Sequence, residues 1–519
     1  MFKYTLGNRP IGNNMFGLKN KTIQKIQPST NQSMQGAGIT YNGQQFITHT
    51  TLSAEKTAFF NVTLGQKMFI ASLILIFLYR ITSDTLGTII GSLAVLSAIY
   101  FFDVVFHLFM IVQSLGTESD IKFEDADISD LEEDQLPIYT ILCPLYKEAK
   151  VLPRFLSAIE KLNWPKDKLD VLILLEADDL ETQAAINNQR LPNYIRPVIV
   201  PPSLPKTKPK ACNFGLSLAR GEYLVIYDAE DEPEPLQLKK AFVGFENVSD
   251  DVICLQAKLN YYNSHQNLLT RLFTAEYSLW FDVILTGLQI METAIPLGGT
   301  SNHFKISALK DLEGWDAFNV TEDADLGVRL FKAGYKTAII DSTTYEEANS
   351  QLGNWIRQRS RWIKGYIQTY FVNMRNPIAF FRQHGIHAWI FQLLIGGKIA
   401  FCLINPILWI MTISYFVLYS LVGPSIEALY PPHIFYLALV SLVFGNFMFF
   451  YVYMIGCAKR LQWDILKYLF ILPFYWLLIS VATTVAIYQF ITKPHFWEKT
   501  VHGLDIKNSK INKPAWRLN

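Results

Sequence analysis

Apolar positions along the chain fall into two regimes. Long, nearly unbroken apolar runs cover Met68–Arg80 and Gly87–Val112 near one end, and His387–Val422, His433–Gly456 and Ile465–Ile491 near the other. A helix that spans a bilayer needs about 20 apolar residues, so the first run is short for a crossing and the second generous. The first run lies too far from the start, and lacks the small-residue cleavage site, to be a signal peptide. Between the clusters the pattern changes to short β-branched runs alternating with stretches at helical spacing. This predicts strands at Ile138–Cys143, Val171–Leu175, Pro197–Val200, Tyr223–Tyr227 and Val252–Leu259, and helices at Lys147–Leu162, Lys210–Arg220 and Gln266–Ile290. Strands and helices alternating in this way imply a Rossmann-like α/β fold, with a mainly parallel sheet covered on both faces. Ligands of such sheets bind beyond the carboxyl ends of the strands.

Charge places these regions relative to a membrane. Hydrophobic residues make up 50% of the chain and charged ones only 18%, against about 25% in ordinary soluble chains. That excludes a disordered or fibrous protein. The net charge of +1 offers no field that would recruit nucleic acid. Lys3, Arg9, Lys19, Lys21, Lys25 and Lys56 face the single acid Glu55 before the first run, which places residues 1–66 in the cytoplasm. Two helices over 67–113 would then return the chain to the cytoplasm. An acidic linker (114–136), an α/β domain (137–350) and interfacial helices (351–385) would follow there, with further crossings over 386–491 and a cytoplasmic tail (492–519). The expected setting is a multi-pass protein of the cytoplasmic membrane in contact with lipid. The number of later crossings stays open. Three runs would leave the tail outside, against its basic residues, whereas Gly396-Gly397-Lys398 and Asn405-Pro406 interrupt His387–Val422. Five scattered cysteines (Cys143, Cys212, Cys254, Cys402 and Cys457) fit a reducing compartment rather than a disulfide framework. Residues 1–60, rich in Asn, Gln and Gly, carry no functional signal.

Polar clusters follow the predicted strands. Asp228-Ala-Glu230-Asp231 offers carboxylates to one hard cation, Mg²⁺ or Mn²⁺, of the kind that shares its sites with substrate phosphates; an acidic turn before Pro233 is the alternative. Glu176-Ala-Asp178-Asp179 offers acceptors for a ribose or base edge. Lys206-Thr-Lys208-Pro-Lys210 opens a helix, a natural anion site. Thr321-Glu322-Asp323-Ala-Asp325 begins another helix after Gly314-Trp315, with Thr321 as its cap and Asp323 as a candidate base. Gln358, Arg361 and Trp362 share one helical face, so a guanidinium for a departing diphosphate sits beside an indole for a sugar. A membrane-surface helix would show the same pattern. Together the clusters describe transfer of a sugar from a nucleotide diphosphate to a hydroxyl.

Over roughly residues 137–503 the chain resembles the processive family 2 glycosyltransferases, membrane synthases of cellulose, hyaluronan and chitin. Pro144-Leu-Tyr146-Lys-Glu148 is similar to the first nucleotide-binding motif. Asp178-Asp179 resemble the uridine-contacting aspartate, and Lys210 the lysine that follows it. Asp228-Ala-Glu230 stands where the family has D-x-D, with Glu as a departure. Thr321-Glu322-Asp323 resembles T-E-D, and Gln358-Arg359-Ser-Arg361-Trp362 resembles Q-x-x-R-W. Trp497-Glu-Lys499-Thr500-Val-His502-Gly503 is similar to the gating loop F-x-V-T-x-K-G of cellulose synthases. Only 16 residues follow Gly503, so a cyclic-dinucleotide-binding domain is not expected, and regulation or export would need a partner.

The resemblance implies a GT-A-like cytoplasmic domain and an inverting hexosyltransferase. Asp323, Glu322 and Arg361 are its catalytic group. Tyr146, Glu148, Asp178, Asp179, Lys210, Asp228, Gln358, Arg359, Thr500 and His502 would bind the nucleotide, Trp362 and Trp315 the acceptor, and Asp228 and Glu230 the Mg²⁺ or Mn²⁺. The acceptor is a glycan or a lipid-linked sugar. The product is a growing, β-linked polysaccharide that passes between the membrane helices, where Asp103 and His107 line the path or pair with a neighbouring helix. Non-processive transfer to a lipid, or an inactive receptor or scaffold of the same fold, are the alternatives.

Overall fold

A computed structural model of the protein describes residues 23–29, 34–116, 119–500 and 503. The central domain is built on an eight-stranded sheet. After the N-terminal strands β1 (Ile23–Ile26), β2 (Gly38–Tyr41) and β3 (Gln44–Ile47), the chain forms β4 (Tyr139–Leu145), β5 (Leu169–Glu176), β6 (Ile195–Val200) and β7 (Tyr223–Ile226). It continues through β8 (Glu232–Pro233), β9 (Val252–Tyr261), β10 (Asn302–Lys305) and β11 (Lys336–Glu346). The sheet order is β6-β5-β4-β7-β10-β9-β11-β8. Strands β6, β5, β4 and β7 run parallel, β9 and β11 run parallel, and β10 lies antiparallel between β7 and β9. Because helices cover both faces, β5 and β9 are buried at every position. Alternate residues feed separate cores. Ile141, Cys143, Val171 and Ile173 pack on one side, and Leu142, Leu172 and Leu174 on the other. The α/β reading, its mainly parallel sheet and each predicted strand hold. The short strand β10 and the long β11 were not anticipated.

Helices α1 (Leu64–Ser83) and α2 (Thr85–Gly116) precede this domain. Within it, α3 (Lys208–Leu218) follows β6, and Leu268–Leu279 continues through a π turn at Trp280–Ile284 into Leu285–Ile290. Next come α4 (Glu322–Lys332) and α5 (Leu352–Asn373). The apolar helices α6 (Ile386–Val417), α7 (Pro432–Lys459) and α8 (Trp463–Thr492) follow. Among the described residues, α1, α2, α6, α7 and α8 are long and apolar enough to cross a membrane. The interrupted run His387–Val422 is one helix with a π turn at Gln392–Gly397, followed by a short helix at Tyr419–Leu429. Its two glycines permit close packing. A Cβ on Gly396 would stand 3.0 Å from the Tyr370 ring, and one on Gly397 3.3 Å from Asp103.

Helix α8 lies alongside α5. Ile363 and Ile367 of α5 pack on Ala482 and Ala486, Phe371 stacks on Phe490, and Gln489 accepts a hydrogen bond from Lys364. Both ends of α8 meet the α/β domain, through Asp464 with His265 at 3.2 Å and, just past the other end, through His495 packed edge-on against Phe318, while the Pro494 carbonyl accepts from Gln368 of α5.

The segment before α1, whose sequence carries no functional signal, forms a small sheet over its described residues. Strands β2 and β3 are joined by Asn42-Gly43, both at positive φ, the two-residue turn that hairpins favour. This small sheet docks on the α/β domain. The Ala58 amide donates to Asp316 at 2.6 Å, Asn213 donates to the Thr48 carbonyl, and Phe46 and Phe59 pack edge-on against Phe318. Composition hid these contacts because every partner lies far along the chain.

Candidate active site

The carboxyl ends of β4, β5, β7 and β11 deliver polar side chains to one edge of the sheet. Beyond β4, Tyr146 donates its hydroxyl to Asp178 at 3.4 Å, and Lys206 reaches both. Glu148 forms an ion pair with Lys499 at 3.2 Å. Beyond β7, Asp228 is paired with Lys208, which also donates to the Gly299 carbonyl at 2.7 Å. Asp231 is buried beneath this turn and shapes it, accepting from the Asp228 amide and from the Thr300 hydroxyl. Glu346, at the end of β11, completes an acidic group with Asp228, Glu230 and Asp231. Burial, and then the neighbouring carboxylates, push Asp231 and Glu346 well above the usual carboxylate range. Lys208 answers this charge. Burial opposes its ionisation, but Asp228 and Glu322 raise its pKa above the ordinary lysine value.

Helix α4 opens on the second acidic pair. Thr321 occupies the cap position without a side-chain cap bond. Asp323 accepts from the Ala324 amide at 2.7 Å, and a Cβ on Gly299 would stand 3.2 Å from its other oxygen. Burial and the adjacent Asp323 carboxylate raise Glu322 to about 8, and burial raises Asp323 as well. From α5, Arg361 and Trp362 face the same space, with Gln358 held by Asn349 at 2.8 Å. The chain after α8 crosses the opening. Trp497 lies against the Arg361 guanidinium at 4.6 Å, the buried Thr500 has a side-chain oxygen without a partner among the described residues, and the Gly503 amide donates to Glu347.

Most of these groups wall one cavity of about 770 Å³, with Asp178 and Asp231 standing behind its lining residues Tyr146 and Asp228. It begins at Tyr146 and Asp228, passes Asp323 and Trp362, and continues between the apolar helices to Asp103, His107, Phe401 and Phe449.

Several expected site residues stand elsewhere. Lys210 is fully buried and donates to Glu176 at 2.9 Å, so of the two lysines on this helix turn it is Lys208 that lines the cavity. Asp179 spends its carboxylate on the amides of Thr182 and Lys147 and caps the next helix. Arg359 turns away from the nucleotide end to a bidentate pair with Glu276, both bonds 2.7 Å, with Tyr475 at 3.2 Å. Trp315 is a core side chain packed edge-on against Phe304 and does not line the cavity. His502 lies outside the described residues. Glu276, Thr300 and Glu346 were missed, and Lys208 was seen only within the basic motif of the anion site. For Glu346 the signal was present, as an acid pair ending a β-branched run.

Among the described residues no three ligating side chains are gathered as a closed metal centre. Asp231 keeps one buried oxygen without a partner among the described residues, and the charges of Asp228 and Glu230 add to burial in raising the proton affinities of Asp231 and Glu346. A hard cation that binds one or two carboxylates and takes its other ligands from a diphosphate fits this donor set.

Residues 223–493 match the family Glycosyl transferase family group 2. The chain belongs to that family. It is 27% identical over 234 residues to the probable glycosyltransferase YdaM of Bacillus subtilis (strain 168), covering 44% of this chain and 56% of that protein. It is 26% identical over 271 residues to the probable glucomannan 4-beta-mannosyltransferase 7 of Oryza sativa subsp. japonica, covering 49% of this chain and 45% of that protein. The match thus spans about half the length of these curated relatives. Among solved structures, the mannosyltransferase PcManGT from Pyrobaculum calidifontis, in complex with GDP-Man and Mn²⁺, is similar at 17% identity with a TM-score of 0.48. That likeness covers 72% of this chain and 99% of the other.

Proposed function

We propose that this family 2 protein is a membrane-embedded, inverting hexosyltransferase. It transfers a sugar from a nucleotide-diphosphate donor to a glycan, extending a β-linked chain that leaves through the cavity between the helices. The observation that carries this reading is the single cavity that joins Asp228, Lys208, Asp323, Arg361 and Trp362 and continues past Asp103. The diphosphate lies against Lys208 and Arg361, and its nucleoside lies toward Tyr146 and Asp178. Asp323 accepts the proton of the acceptor hydroxyl as that oxygen attacks the anomeric carbon and the bond to the diphosphate breaks. Lys208 and Arg361 neutralise the charge that develops on the leaving group. Asp228 and Glu230 would hold Mg²⁺ or Mn²⁺, which supplies further positive charge beside the diphosphate. Trp362 presents its ring to the acceptor sugar.

The segment over the opening acts as a lid. Its contacts through Trp497 with Arg361 and Lys499 with Glu148 hold it over the opening, and Thr500 lines the cavity beneath it. Trp497→Ala is expected to raise the donor KM about five- to tenfold, as the lost cation–π contact implies; an unchanged KM would remove the lid role. Since α8 lies along α5 and returns to the α/β domain, α1, α2, α6 and α7 make the crossings, and both the N-terminal segment and the lid stay on the catalytic, cytoplasmic side.

The raised proton affinities set a pH dependence. Asp323 must be ionised to accept a proton, so kcat rises with pH. Its acid limb lies above the ordinary aspartate value of about 4, displaced toward neutrality by burial. A kcat–pH profile already flat at pH 5 would contradict this.

The deciding experiment incubates the purified, bilayer-reconstituted protein with GDP-mannose, UDP-glucose or UDP-N-acetylglucosamine and Mn²⁺, and measures nucleotide diphosphate release and product length. GDP-mannose comes first because the rice relative carries a mannosyltransferase name. Long chains support the reading. A single sugar on lipid would favour the non-processive alternative, and no release with any donor would leave an inactive scaffold.

A further inference from the structure

Helix α5 carries more than its Gln358-to-Trp362 face. Further along it, Gln368 is fully buried and meets three distant chain segments with one amide. Its oxygen accepts from the Val320 amide at 3.0 Å. Its nitrogen donates to Asn61 Oδ1 at 3.0 Å, to the Pro494 carbonyl at 3.1 Å and, more weakly, to the Phe318 carbonyl at 3.5 Å. Asn61 belongs to the arm entering α1. Phe318 and Val320 belong to the loop that delivers Asp323. Pro494 starts the segment that becomes the lid.

Neighbouring contacts tighten the same junction. Thr369 accepts from Asn319 at 2.9 Å, and Lys364 donates to the Phe496 carbonyl at 2.7 Å. The base loop presses so close to α5 that a Cβ on Gly365 would stand 2.2 Å from the Thr321 hydroxyl oxygen. A side-chain amide has two donor hydrogens, and both of Gln368's are used. Displacing either the lid segment or the base loop leaves buried amide or carbonyl groups without partners, which is costly in a site closed to water.

We propose that Gln368 is a positioning residue that couples the lid to the loop carrying Asp323, so that closure over the nucleotide and placement of the base occur as one event. The inference rests on the reading of Asp323 as base and of the C-terminal segment as lid.

The test compares wild type with Gln368→Glu, which keeps the acceptor for Val320 but loses all donation to Asn61, Phe318 and Pro494. Amide hydrogen exchange should rise together in residues 319–323 and 495–500 while β4 and β9 stay protected. The donor KM should rise about tenfold and kcat should fall as well. Trp497→Ala should cost far less in the Gln368→Glu background than in wild type, because the lid is already released. Exchange rising in one segment only, or multiplicative costs in the double variant, would overturn the coupling. Gln368→Met, uncharged and of similar length, serves if the Glu variant loses β4 protection. Wild type gives an independent arm, in which UDP or GDP should protect 319–323 along with 495–500. Protection confined to 495–500 overturns the proposal. If neither nucleotide protects residues 146–148, the transferase reading fails, whereas the ligand-free exchange of the variants still decides the coupling.

Discussion

Asp323→Asn is expected to lower turnover by about two to four orders of magnitude while nucleotide diphosphate binding stays close to wild type. The substitution preserves size and the oxygen that accepts from the Ala324 amide at 2.7 Å, so the first turn of α4 keeps its shape. It removes the basicity alone. Glu322 does not replace it. Burial, the larger of the two causes that raise that carboxyl, persists in the variant and keeps its proton affinity above the ordinary glutamate value. The check is single-turnover kinetics with the preferred donor, alongside calorimetric binding of its nucleotide diphosphate. Turnover within threefold of wild type would remove Asp323 as the base. Parallel loss of binding and turnover would instead make it a donor-binding group.

Asp228→Asn is expected to lower kcat/KM by about two to three orders of magnitude, with both donor affinity and turnover affected. Asp228 is the ion-pair partner of Lys208 and lines the cavity beside Glu230. The lost carboxylate weakens any cation held there and frees Lys208 to swing toward Glu322. The signature is therefore a shift in the Mn²⁺ concentration needed for half-maximal rate, to higher values, together with the lower rate. Because Asp231 sits behind it and accepts from the backbone amide of residue 228, the turn itself survives, and thermal stability should change little. A variant with wild-type Mn²⁺ dependence would place the cation elsewhere.

Much of the architecture was legible before any coordinates, because its signals are local. Continuous apolar runs announced the helices that can cross a membrane, and β-branched runs ending in acids announced parallel strands and the edge where ligands bind. The α/β class and the acidic groups after β5, β7 and before α4 all follow from neighbours in sequence. Strand β11, which brings Glu346 to the site, was harder to see. Its partner β9 precedes it by a long excursion through helices, and its pattern is mixed because only part of it is buried.

What the chain alone determined was which chemical groups are present and at what spacing; which of them meet was decided by folding. The clearest cases are Lys208 against Lys210 and Arg361 against Arg359. Residues two apart on a helix point about 200° away from each other, so in each pair one member faces the acidic groups of the site and the other is claimed by a buried carboxylate, Glu176 for Lys210 and Glu276, deeper along the cavity, for Arg359. Sequence spacing reveals that opposition but not which member faces inward, since that depends on the rotation of the helix against the sheet. The same holds for the arm before α1 and for Gln368, whose partners Asn61, Val320 and Pro494 become neighbours only when packing brings distant segments around one buried amide.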